Sequence, residues 1–170
     1  DPSITFQVTG SIYNPFTSKN SYCQQSITKG SSAYGATSVD FDKIYRISLT
    51  SSQEAYFSFT ANSSSTYNIS YSSTQGVSFK VYKEVGNRVA YEYGTSESTT
   101  ISSYSGNVII YFEQNVSTPT VTFQVTGTIS NLHTSKNSYC QQSITKGSSA
   151  YSTTSVELDK IYSISLSSGE

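Results

Sequence analysis

The side chains able to do acid–base chemistry are few and scattered. Glu54, Glu84, Glu92, Glu97 and Glu113 are spread through the middle of the chain. Glu92 and Glu97 are near enough to flank a turn as a glycosidase pair would, yet solvent-facing strand and loop acids account for them more simply. The single histidine, His133, has no nucleophile–base partner in its own context. No zinc-protease, paired-cysteine, phosphate-loop or dinucleotide-loop string occurs. The expectation is a non-enzyme with no catalytic residues and no cofactor.

The remaining reactive groups point away from catalysis. Cys23 and Cys140 are the only cysteines, each within the string SYCQQ. No cation stands beside either to lower a thiol pKa. Each is either a buried free thiol or half of a bridge to another module or another chain. Three N-x-Ser/Thr triplets make Asn62, Asn68 and Asn115 the glycosylation candidates of a secreted eukaryotic protein. Tyr67, Tyr71, Tyr91 and Tyr93 are the rings available for stacking on sugars, although cross-strand packing is the commoner use of such rings.

Those groups are set in a sequence that repeats itself. Residues 4–53 return at 121–170 with a constant offset of 117, and 17–34 is identical to 134–151. His133 falls opposite Phe16, so that position serves packing or a loop better than a catalytic base. Fixed-period self-similarity marks an array of modules, and arrays are commonly scaffolds. Segment 54–117 occurs once. The chain therefore divides into a complete repeat, 1–117, and the N-terminal half of a second, 118–170. That half is too short for an independent core, leaving Phe123, Val125, Tyr162, Ile164 and Leu166 in want of a facing sheet. Completion by an adjacent subunit or by further sequence follows.

Composition excludes several classes. Charged residues are 12% and the net charge is −1, which offers no basic footprint for nucleic acid. No stretch is long and apolar enough to span a membrane as a helix. Fifteen Tyr and eight Phe, with neither Met nor Trp, supply the apolar payload that a disordered Ser/Thr-rich chain lacks.

The local period is two. Alternation predicts strands at 3–9, 43–49, 55–61, 66–72, 77–83, 88–94 and 107–113, about ten residues apart. Glu84–Asn87 reads as a hairpin turn, and residues 10–40 as a long loop or meandering edge. No helix longer than two turns is expected in 41–117. The fold class is all-β: an antiparallel β-sandwich, jelly-roll or immunoglobulin-like, in tandem, with the second repeat incomplete.

Asn20, the step Ile27-Thr-Lys-Gly30, Asp40-Phe-Asp42, Tyr45 and Gly106-Asn-Val108 together resemble the bacterial pre-peptidase C-terminal module over about residues 20–113. The resemblance implies a secreted jelly-roll-like sandwich appended to an enzyme. It also makes Asp40 and Asp42 the candidates for a calcium site. The sequence departs from that pattern, because Lys43 follows Asp42 directly and no carboxylate lies between Asp1 and Asp40. Two acids fall short of the roughly six to eight oxygens calcium takes, so the expectation is no metal, with these acids capping a loop. The function expected is that of a non-enzymatic extracellular or cell-surface structural repeat. It would form a filament, stalk or adhesin whose partners are copies of itself and glycans, not nucleic acid. The alternative is a polysaccharide- or matrix-binding accessory module.

Overall fold

A computed structural model of the chain describes residues 3–7, 23–41, 43–115, 117–127, 141–143, 154–155 and 161–166. Asn20, Asp42, His133 and Cys140 lie outside the described residues. Among the described residues all eleven elements are strands, and no helix interrupts 41–117. No helix there is long and apolar enough to cross a membrane. Two compact units form, Gln24–Ser130 and Asp1–Cys23 with Asn131–Glu170.

The first unit holds β2 (Gln24–Ser26), β3 (Thr37–Ser38), β4 (Ile44–Ser48), β5 (Gln53–Ala61), β6 (Tyr67–Lys83), β7 (Arg88–Ile101), β8 (Gly106–Gln114) and β9 (Thr120–Thr126). Their order is β2-β4-β9-β6-β8-β5-β3, with β7 on the other edge of β6. The alternation predicts separate strands at 66–72 and 77–83. They are instead one 17-residue strand. Its Asn68–Ser73 half pairs with β9, and its Ser78–Lys83 half pairs with β8. The two sheets expected of a sandwich are thus two arms of one sheet, hydrogen-bonded continuously through β6 and curled about an irregularity between Ser72 and Val77. The bend is held by Thr74, whose Oγ1 accepts from the Thr120 amide, and by Gln114, whose side-chain amide donates to the Gly76 carbonyl. Nor is the sheet wholly antiparallel: the short strands β2 and β3 run parallel to β4 and β5.

Period-two alternation gives each arm one apolar face, and the curl turns the two faces together. Phe57 of β5 and Phe112 of β8 meet Phe123 of β9 at ring separations of 4.7 and 5.3 Å, and Tyr71 meets Phe112 at 5.4 Å. Phe57, Phe112, Phe123 and Val125 have no exposed surface. The expectation that Phe123 and Val125 lack a facing sheet is therefore corrected. The strand that opens the second sequence copy is bonded into the unit built from the first.

The second unit contains β1 (Ser3–Gln7), β10 (Gln141–Ser143) and β11 (Ile161–Ser165), in the order β1-β11-β10. Its pairing reproduces that of the first unit displaced by 117 positions. Ser3↔Ser165 through Gln7↔Ile161 matches Thr120↔Ser48 through Gln124↔Ile44. Likewise Gln141↔Ile161 matches Gln24↔Ile44, parallel in both. Cys23 is fully buried and disulfide-bonded.

Candidate functional site

The inward residues of β5, β6 and β8 fill the core, so their neighbours in sequence must point outward. On that outer face cross-strand register sets Tyr56, Tyr111, Lys80 and Tyr91 in one row across β5, β8, β6 and β7. The adjoining row is Glu54, Glu113, Ser78 and Tyr93. Tyr82 and Ile109 form the row on the other side. Ala33, Tyr56, Lys80, Tyr82, Val85, Gly86, Ile109 and Tyr111 line a shallow cavity of about 270 Å³ over this surface.

The charges there are held rather than loose. Glu54 and Glu113 sit directly opposite one another, an unfavourable like-charge pair unless compensated. Compensation comes from three donors. The Tyr56 and Tyr111 hydroxyls donate to Glu54 at 2.9 and 3.0 Å, and Lys80 Nζ donates to Glu113 at 3.1 Å. Lys80 also lies 4.6 Å from the Tyr111 ring centre and 5.6 Å from that of Tyr91, while Arg88 is 5.2 Å from Tyr91. Tyr56 and Tyr111 pack at 4.8 Å. At the outer edge, Tyr91 and Tyr93 remain 51% and 65% exposed. The arrangement offers ring faces beside fixed carboxylate acceptors, which can stack on an apolar ligand face and accept from hydroxyl donors.

Burial, then the hydrogen bond to Glu54, pushes Tyr56 up to about 12 from its ordinary 10. Tyr111 is raised by burial and by its hydrogen bonds to Glu54 and Glu113. Tyr71, whose hydroxyl donates to the Gly94 carbonyl, is pushed to about 12 by burial, then by the charges of Glu97 and Glu92. Unfolded tyrosines release their protons near pH 10 while these hold theirs, so the unfolded state binds fewer protons above that pH. Stability from these groups is complete below pH 10 and is lost as pH rises from 10 through 12 and beyond. The slope approaches about 1.4 kcal/mol per pH unit for each group that keeps its proton. Urea midpoints across this range, with tyrosinate absorbance followed in parallel, check it. A flat midpoint would contradict the geometry.

The stacking candidates divide. Tyr91 and Tyr93 stand exposed on β7, whereas Tyr67 and Tyr71 are core residues at 5% and 1% exposure. Glu92 and Glu97 lie exposed on β7, where they face Phe79 and Tyr71 of β6. Asp40 is bound by Lys43 at 2.7 Å, and its amide donates to the Tyr45 hydroxyl oxygen. Among the described residues no three His, Cys, Asp or Glu side chains gather as a metal site. Asn62 and Asn115 are exposed, the former closing its turn by accepting from Ser64, while Asn68 is half-buried within β6. Glu54, Lys80, Tyr111 and Glu113 were not singled out as a group by sequence reasoning. Their outward parity was visible in the alternation, but the register that aligns them was not.

No protein-family model and no curated protein matches the chain. Among solved structures it is similar to the pre-peptidase C-terminal domain of the collagenase from Bacillus anthracis. That match has 16% identity and a TM-score of 0.46, covering 53% of this chain and 93% of that one. It is also similar to Aeromonas hydrophila PliG, a periplasmic lysozyme inhibitor of g-type lysozyme. Here identity is 11% and the TM-score 0.43, covering 60% of this chain and 98% of that one.

Proposed function

We propose that this chain is a non-catalytic extracellular β-module that binds a polysaccharide along the outer face of β5, β8, β6 and β7. The observation that carries the reading is the pair Tyr91 and Tyr93, half or more exposed on one strand and in register with Lys80, Tyr111 and the two glutamates. A large aromatic left exposed beside satisfied acceptors is a surface prepared for a ligand. The buried disulfide at Cys23 supports an oxidising compartment. Such a module would act as an accessory to a secreted enzyme or as part of a surface protein. Replacing Tyr91 and Tyr93 by alanine should weaken binding to an insoluble polysaccharide panel about tenfold for each ring, or ~1.4 kcal/mol apiece. The unfolding midpoint should hold, because both rings are solvent-facing. A panel on which the parent chain binds nothing, or on which Tyr91→Ala/Tyr93→Ala binds as the parent does, refutes the reading.

A second reading is that the chain is a repeat of a filament, stalk or adhesin. The identical register of β1-β11-β10 and β9-β4-β2 favours it. In that reading Cys23 and Cys140 bridge successive repeats, and any glycans are carried at the turn residues Asn62 and Asn115.

A further inference from the structure

Among the described residues the three-stranded sheet β1-β11-β10 has the pairing of β9-β4-β2 but a different edge. In the Gln24–Ser130 unit the far edge of β9 is covered by Asn68–Ser73 of β6. Among the described residues β1 pairs with β11 alone. The apolar face differs likewise. Ile47 and Leu49 are 4% and 0% exposed within the core. Their equivalents 117 positions on, Ile164 and Leu166, are only half-buried, while Tyr162, like its equivalent Tyr45, is buried at 7% against 6%. What covers β9 is the segment 54–117, through the β6 edge and the Phe57 and Phe112 rings against Phe123. That segment occurs once in the sequence, and the Gln24–Ser130 unit uses it.

We propose that β1-β11-β10 is a docking surface for a second segment of the 54–117 sequence, with β1 as the closing strand of the resulting unit. The inference rests on the repeat reading above and not on polysaccharide binding. The partner is defined by complementarity already visible in this molecule. It must pair β1 in the β6 manner, over the four residues Ile4–Gln7 that correspond to Val121–Gln124, and set two phenylalanine rings over the β1–β11 face. Each unit would then close with the strand that opens the following sequence copy.

The test is the full chain extended after Glu170 by a second copy of 54–117, read by amide hydrogen exchange. Ile161–Ser165 should slow by at least about a hundredfold, towards the rate of Ile44–Ser48. Ile44–Ser48, unchanged, shows in the same molecule that folding is intact. Deleting residues 1–9 from the extended chain should return Ile161–Ser165 to fast exchange, and adding 118–127 after the appended segment should restore protection. Exchange at Ile161–Ser165 unaltered by the extension overturns the docking. Protection that survives deletion of residues 1–9 overturns the closing role of β1. A native polypeptide whose intact mass corresponds to a single 54–117 segment defeats the repeat reading, whatever the extended chain does.

Discussion

Phe123→Ala is expected to destabilise the Gln24–Ser130 unit by about 3–5 kcal/mol, the usual cost of removing a fully buried ring. Phe123 has no exposed surface and touches Phe57, Phe112 and Tyr45 at ring separations of 4.7, 5.3 and 5.6 Å. It joins the two arms of the curled sheet, so its loss opens a cavity that neither arm can close alone. Tyr162→Ala, in the other compact unit, should leave the exchange rates of β5 and β8 unchanged. Urea unfolding followed by hydrogen exchange separates the two variants. A loss below about 1 kcal/mol for Phe123→Ala would mean that β9 is not a structural strand of this unit.

Gly30→Ala should cost about 3 kcal/mol, near the upper range for overpacking. Gly30 and Tyr56 exchange backbone hydrogen bonds of 3.2 and 3.1 Å. A β-carbon on Gly30 would lie 2.5 Å from the carbonyl oxygens of Gly35 and Tyr56 and 2.7 Å from the Ala36 α-carbon. All three are backbone atoms, so no rotamer change relieves the clash. The strain falls on Tyr56 and hence on its hydrogen bond to Glu54, so polysaccharide binding should weaken together with stability. Gly94→Ala is the control. Its β-carbon would meet only the Glu97 carboxylate oxygen at 3.7 Å and the Tyr71 hydroxyl at 4.0 Å, and a change within about 0.5 kcal/mol is expected. Equal losses for the two variants would show that Gly30 is not a close-approach site.

The alignment of the tyrosine face depends on a register that local sequence cannot express. Tyr56, Lys80, Tyr91 and Tyr111 come from four strands spread over more than fifty residues. Each reads locally as the outward member of an alternating pair. Only hydrogen bonding between strands aligns them and brings Glu54 beneath two hydroxyls. For the same reason alternation leaves Tyr67 and Tyr71 open between stacking on a ligand and cross-strand packing. Alternation says that two faces exist, not which face the curl will bury.

The amino-acid sequence by itself determined the strand content, the placement of most strands and the 117-residue period, because side-chain alternation and self-similarity are local properties written along the chain. It also placed the turn at Glu84–Asn87, where Glu84 and Gly86 adopt φ of 64° and 94°. Tertiary structure alone decided that residues 66–72 and 77–83 are one bent strand rather than two. A bend and a loop carry the same residue types at Thr74, Gln75 and Gly76. Tertiary structure also decided where the strand 120–126 packs. A repeat of period 117 can be cut anywhere without changing its period. Only the pairing of Thr120–Thr126 with both β4 and β6 puts the strand that begins the second sequence copy inside the Gln24–Ser130 unit.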